Sequence, residues 1–404
     1  MPFDRPPATR QPAAFLWLYA LAWAGGAVAY VPFLTILLPI RVAVMVGDQR
    51  VEWLAYITFF GAAAASIGGI LFGWLSDRSR TRRPWIVAGL IGTLGLMMCV
   101  PLASRPIELL LLVVVWQLAL NMMLGPLSAW AADHVPPGQL GSLGGLLALS
   151  PALGSVAGAL VTLPGVADAD ERLVLVSLLV SCCVLPALLF ARPMDGQSTD
   201  LAENPAVLPP PPSLRVTAGM WVARFLVQIS EATLFAYLYY YFHSIDPSRD
   251  AGWIARLFGI VLCTAVPAAL LVGRWSDRRG RPLLPLVAGA LTAAFALLLM
   301  ALSSTPFEAT AAYVMFGFAT TIFLSLHSAQ TLRVLRRTER RGRDLGFFNL
   351  TNTAPSLIIP WLTVAIVPVF GFAHLFLVLA ALALAAALIL FAIRSDLRPS
   401  AARS

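Results

Sequence analysis

Three polar side chains interrupt an otherwise apolar run, Arg224, Gln228 and Glu231 in WVARFLVQISEATLF. Their spacing of four and then three puts all of them on one stripe of a helix. Glu231 lies halfway along its segment and is the one acidic residue set that deep in any apolar segment of the chain. A charge at mid-membrane costs about 2.5 to 3.5 kcal/mol on the insertion scale, so a functional role is the first hypothesis for such a residue. At 1.5 Å per residue Arg224 lies about 10 Å nearer the helix start, and helical side chains lean toward the N-terminus, so the arginine leans away from the glutamate. A direct pairing is therefore not expected. Either Gln228 bridges the two or Glu231 finds a partner on another helix. A desolvated carboxyl without a close cation favours its neutral form, which makes Glu231 the candidate proton-coupling residue, with Arg224 and Gln228 beside it. The plainer alternatives are a packing contact or a substrate contact without coupling. Sodium coupling stays open, because one carboxylate with neighbouring hydroxyls and carbonyls also suits that ion.

A second pattern is a charged phrase written twice. GWLSDRSRTRR at 73–83 is answered by GRWSDRRGR at 273–281, with Asp77 matching Asp277 and Arg78 matching Arg278. The first copy has two extra residues before its proline (Pro84 against Pro282) and lacks the glycine found at Gly280. Its turn is expected to differ.

The elements that hold these residues follow from composition. The chain of 404 residues is 59% hydrophobic and 12% charged, against about 25% charged in a soluble domain, and its mean hydropathy is +0.81. Apolar runs long enough to cross a bilayer as helices recur along its whole length, and none shows the alternation of a membrane barrel strand. Twelve segments are expected, near 14–40, 51–75, 84–103, 108–132, 141–164, 172–192, 214–242, 251–275, 282–303, 307–332, 344–368 and 370–394. The polar, proline-rich stretch 193–213 reads as a linker, giving one six-helix bundle over 1–192 and another over 214–404. The N-terminal stretch has no small-x-small cleavage site, so the first helix is expected to be retained.

All 28 basic residues are Arg, and 21 of them fall in the tails and loops of one side, against five in the loops of the other. That asymmetry places both termini in the cytoplasm by the positive-inside rule. The formal charge of +8 thus reports orientation, and nucleic-acid binding is not expected. Cys99, Cys182, Cys183 and Cys263 all sit in apolar segments and read as small core residues. The chain holds no GxxxxGK[ST], HExxH or GxSxG stretch. No enzyme activity, metal or cofactor is expected.

Six helices carrying the same punctuation twice mark a duplicated transporter bundle whose halves rock about a central site. The G-x-x-S-D-R stretch with its Arg-rich turn, present in both halves, resembles the signature loop of the major facilitator superfamily, and the resemblance covers essentially the whole chain. It implies an all-α membrane protein of twelve transmembrane helices in two pseudo-symmetric bundles. It also implies that each loop aspartate faces the positively polarised start of a helix in the other half, Asp77 near Leu345 and Gly346 and Asp277 near Gly141 and Ser142. Arg78, Arg83, Arg278 and Arg281 would complete this gate, with Asp133 at the inner mouth of helix 4. Such contacts exist only while the cytoplasmic side is closed.

Two further stretches, NMMLGPLSAWAADHVPPGQLGSLGG at 121–145 and GRDLGFFNLTNTAPSLIIP at 342–360, resemble passages of sucrose:proton and related glycoside symporters. In the superfamily, helices 1, 4, 7 and 10 line the cavity. The resemblance therefore implies substrate contacts from Trp23 and Tyr30, from Trp116, Gln117 and Asn121, from Tyr237, and from Ser325 and His327. The expectation is a monomeric, proton-coupled symporter of a sugar, glycoside or similar polar solute in a cytoplasmic or plasma membrane. Its rivals are proton-linked efflux of an amphipathic compound and a non-transporting assembly factor or receptor of the same fold.

Overall fold

The computed structural model describes residues 10–163, 165, 168, 170–193, 213–249, 251–335 and 341–394. The linker expected at 193–213 lies, apart from its two end residues, outside them. The described chain is built of helices: α1 Ala13–Val46, α2 Arg50–Arg78, α3 Arg83–Cys99, α4 Pro106–His134, α5 Leu140–Val161, α6 Glu171–Phe190, α7 Leu214–Ile245, α8 Ala251–Arg279, α9 Leu284–Leu302 and α10 Pro306–Val334. The final stretch, Arg341–Thr353 and then Pro355–Ile393, is divided by Gly371 at φ 77°, ψ 175° into α11 (341–370) and α12 (372–393). α1 runs past its expected end because a π turn at Phe33–Leu37, just after Pro32, carries the helix onward to Val46.

Helix starts repeat between the halves. Ser104-Arg105-Pro106 opens α4 and Ser304-Thr305-Pro306 opens α10, with Pro at the first helical position in each. Proline suits that position because its N–H would go unpaired anyway. Three residues in, Glu108 Oε2 accepts from the N–H groups of Ser104 (2.9 Å) and Arg105 (3.1 Å). Glu308 Oε2 does the same for Ser304 (3.0 Å) and Thr305 (3.2 Å). At α10 the cap is reciprocal, since Thr305 Oγ1 accepts from Glu308 N (3.3 Å); carboxylates placed in this way fix where the helices begin.

Ten spans are long and apolar enough to cross a membrane among the described residues. α7 is not among them, because Arg224, Gln228 and Glu231 lower its hydropathy, so it depends on its neighbours. Within the first half α1 packs on α5 and α6, and α4 on α2 and α3; within the second, α12 packs on α7 and α9, and α10 on α8 and α9. The halves meet through the first turns of α5 (Leu140–Leu147) against α8 and α10, and through Arg341–Thr353 of α11 against α2 and α4.

The buried apolar clusters follow that geometry. One runs through the first half and continues into the second at the end where the repeated Arg-rich loops lie, taking in Val216, Met220, Phe323, Leu326, Leu345 and Phe348. The other, built on Phe242, Phe316 and Leu379, belongs to the second half alone. The molecule is thus joined at its Arg-rich end and divided toward the other. Of the four cysteines, all free, Cys182 and Cys263 are exposed rather than in the core, and Cys99 and Cys183 are half-buried. Their apolar segments do not require burial, because lipid accepts a small apolar side chain as readily as a core does.

Candidate functional site

Each repeated aspartate caps a helix of the opposite half. Asp277 Oδ1 accepts from Gly141 N (2.9 Å), and its Oδ2 accepts from Ser142 N (2.8 Å) and Ser142 Oγ (3.1 Å) at the start of α5. Asp77 Oδ1 accepts from Gly342 N (3.0 Å) and its Oδ2 from Arg343 N (3.1 Å) at the start of α11. The first N–H groups of a helix have no intrahelical acceptor and carry its positive pole, so a carboxylate satisfies both needs together. The Asp277 contact falls on Gly141 and Ser142, the residues expected for it. The Asp77 contact falls one turn earlier than Leu345 and Gly346, because α11 begins at Arg341.

Glycine makes this approach possible. A Cβ on Gly73 would run into the carbonyl of Gly342, and one on Gly273 into that of Gly141. One turn along, Gly346 presses on Gly69 and Ile70, and Gly145 on Ala269 and Leu270. Helices in lipid gain little from apolar association, so contact of this closeness is how they hold together.

The two turns behind the aspartates share more than expected. Gly280 has φ 60°, and Arg80 holds the matching position at φ 52°. A side chain in the left-handed region costs about 1 kcal/mol or more. The extra residues of the first copy bring in Arg82, whose Nη1 lies 2.7 Å from Asp77 Oδ1 and whose Nε donates to Asp133 Oδ2 at 3.0 Å. Arg82 was not among the expected gate residues, since only the folded turn aims it. Arg83 instead holds α6, donating to the Ala191 carbonyl and lying over the Trp130 ring at 5.4 Å. Arg78, Arg278 and Arg281 are exposed.

The mid-span cluster lies on α7. Gln228 Nε2 donates to Glu231 Oε2 at 2.8 Å, and Oε1 has no donor among the described residues. Glu231 is half-buried, with Tyr30 of α1 and Tyr313 of α10 within range of its charge. Arg224 is within range of that charge too but makes no hydrogen bond or ion pair with Glu231. Its Nη1 donates to the Leu324 carbonyl (3.1 Å) and Ser328 Oγ (3.0 Å) of α10, and its Nη2 to Asn352 Oδ1 (3.1 Å) of α11. From there a line of amides crosses to the first half. Asn352 Nδ2 donates to Asn349 Oδ1 (2.9 Å), Asn349 Nδ2 to Asn121 Oδ1 (3.4 Å), and Asn121 Nδ2 to the Gln117 carbonyl (2.9 Å). Nearby, Ser66 and Thr353 share a hydrogen bond of 2.6 Å between α2 and α11.

Two bundles of six helices, joined by aspartate-capped helix starts that recur in both halves, are matched by the family model described as Major Facilitator Superfamily over residues 3–159 and 220–404. The chain belongs to that superfamily. Its fold is similar to the crystal structure of the human organic anion transporter MFSD10 (TETRAN), with a TM-score of 0.73 and 15% identity over 96% of this chain and 100% of that one. It is also similar to the proton:xylose symporter XylE bound to 6-bromo-6-deoxy-D-glucose, with a TM-score of 0.69 and 13% identity over 94% and 95%. At those identities the likeness is one of fold. No curated protein matches the sequence. Like these transporters, this facilitator-superfamily chain is a multi-pass membrane protein and not an enzyme.

Other residues expected to line the facilitator cavity are placed unevenly. Tyr30 is 39% exposed, while Trp23 and Tyr237 are half-buried. Trp116 is fully buried against Phe33, ring centroids 4.7 Å apart, and its Nε1 has no acceptor among the described residues. His327 is fully buried too, with Nε2 3.0 Å from the Met220 carbonyl of α7 and Nδ1 3.2 Å from Thr331 Oγ1. Both are fully buried between helices in this conformation. Ser325 is spent on the Thr321 carbonyl of its own helix (2.7 Å). Gln117 and Asn121 are buried, and Asn121 serves the amide line. Asn349 and Asn352 are the functional candidates that sequence reading passed over, although both stand in the α11 stretch whose resemblance singled it out.

Proposed function

We propose that the protein is a proton-coupled secondary transporter that moves a polar organic solute through the gap between its halves by alternating access. The observation that carries this reading is Glu231, a mid-span carboxyl with one neutral donor and one open oxygen, beside an arginine occupied by neutral acceptors. A carboxyl so placed takes a proton when the gap opens to one side and releases it when the gap opens to the other. The distribution of arginine puts the joined end, and both termini, in the cytoplasm of a cytoplasmic or plasma membrane. The Asp77 and Asp277 contacts then close the cytoplasmic side while the gap faces outward. They must break for solute to enter the cell.

For substrate we favour a sugar, glycoside or similar solute taken up with the proton. This is supported by the aromatic and amide groups around the gap, Tyr30 and Asn349 among them, and by the fold shared with a proton:xylose symporter. The test is Glu231→Gln in proteoliposomes with an imposed pH gradient. Accumulation above equilibrium is expected to vanish while counterflow, which needs no net proton movement, persists; accumulation equal to wild type removes the assignment. Replacing sodium by choline without effect on uptake separates the proton from sodium as the coupling ion.

A second reading, transport of an organic anion, is favoured by Arg224, whose hydrogen-bond acceptors among the described residues are all uncharged. The fold shared with an organic anion transporter points the same way. Competition in the counterflow assay decides: sugars displace label under the first reading, carboxylates and sulfonates under the second, and only in the second does Arg224→Gln abolish displacement.

A further inference from the structure

A cavity of about 430 Å³ opens at the Arg-rich end, inside the first half and away from Glu231. It is lined by four arginines, Arg80, Arg82, Arg83 and Arg192, and by His134, against the one acidic lining residue Asp133, with Trp130 as an apolar wall. Arg82 is held by Asp77 and Asp133, and Arg83 by the Ala191 carbonyl and the Trp130 face. The side chains of Arg80 and Arg192 make no hydrogen bond or ion pair with the described residues, so their donors are available to a ligand. Converging guanidiniums of this kind suit a phosphate better than a solvated surface, because each offers a planar fork to two oxygens.

An independent observation is the backbone at Arg80. The second half gives the same turn position, at φ 60°, to Gly280. The first half sets an arginine there at φ 52° and directs it to the cavity wall. A strained backbone that places a charged group in a cavity is a mark of use rather than of packing.

We infer that this cavity binds a phosphate ester, either the headgroup of an acidic phospholipid or a soluble organophosphate. The test uses full-length protein in neutral detergent and follows thermal stability against dioctanoyl phosphatidate, dioctanoyl glycerol and glycerol phosphate. Phosphatidate is expected to raise the melting temperature saturably, and the diglyceride, which has the same chains and no phosphate, to leave it unchanged. In Arg80→Gly/Arg192→Gln the apparent affinity is expected to fall about tenfold or more. Arg80→Gly keeps the turn, and neither residue belongs to the latch, so the variant folds; Arg192→Gln alone serves as a second check. A glycerol phosphate response equal to that of phosphatidate assigns the site to a soluble ester, and no such response assigns it to the lipid headgroup. Equal responses to phosphatidate and diglyceride, no response to either phosphate ester, or unchanged affinity in the double variant would each overturn the proposal.

Discussion

Gln330 is 2% exposed in α10, and neither its Nε2 nor its Oε1 has a partner among the described residues. A buried amide without hydrogen bonds forfeits about 1 to 3 kcal/mol of desolvation. Gln330→Met, similar in shape and without the amide, is therefore expected to stabilise the protein, seen as a higher melting temperature in detergent. Asn352→Leu does the reverse, because it strips an acceptor from the Arg224 guanidinium; about 1 to 3 kcal/mol is expected to be lost. The lack of a direct pairing between Glu231 and Arg224 was readable from their offset, since rise per residue and side-chain lean are local properties. Trp116 and His327 were not readable in the same way. Which side of a mostly buried helix meets a cavity is decided by its neighbours, and a tryptophan in the core has the same sequence surroundings as one in the gap.

Between elements, the decisive contacts are four glycine crossings in which backbone meets backbone. Gly73→Ala sets a methyl group against the Gly342 carbonyl, which has no flexible side chain to move aside. The expected outcome is separation of α2 from α11, read as faster maleimide labelling of a cysteine placed in the gap and reached from the Arg-rich end. Gly95→Ala is the control, because a Cβ there meets open space. The twelve helices were legible as apolar runs, and Asp277 found its partner because α5 starts where its glycines indicate. The Asp77 contact was displaced by one turn because the residues before Arg341 carry no clear start signal, and a start shifted by one turn shifts every contact with it.

For the whole molecule, the proposed latches at Asp77 and Asp277 would set the balance between conformations. Losing the carboxylate charge at a helix start removes about 0.3 to 2 kcal/mol, enough to change a two-state ratio by roughly twofold to thirtyfold. Asp77→Asn and Asp277→Asn are each expected to move distances between spin labels at the Arg-rich ends of α2 and α11, or of α5 and α8, toward a longer population. The shift is expected to be larger for Asp77, which also holds Arg82. The duplicated architecture was plain from the repeated charged phrase, whereas the state of the gate depends on contacts 265 and 136 residues apart in the chain. Gly371 adds a mechanical consequence. Its φ of 77° with ψ of 175° is a corner that only glycine turns comfortably, so α11 and α12 are joined by a one-residue elbow with no slack. Under the proposed opening of the latch, a swing of α11 would carry α12 with it through this elbow. A stroke begun at one face of the bilayer would thereby be delivered at the other, as by an oar in its rowlock.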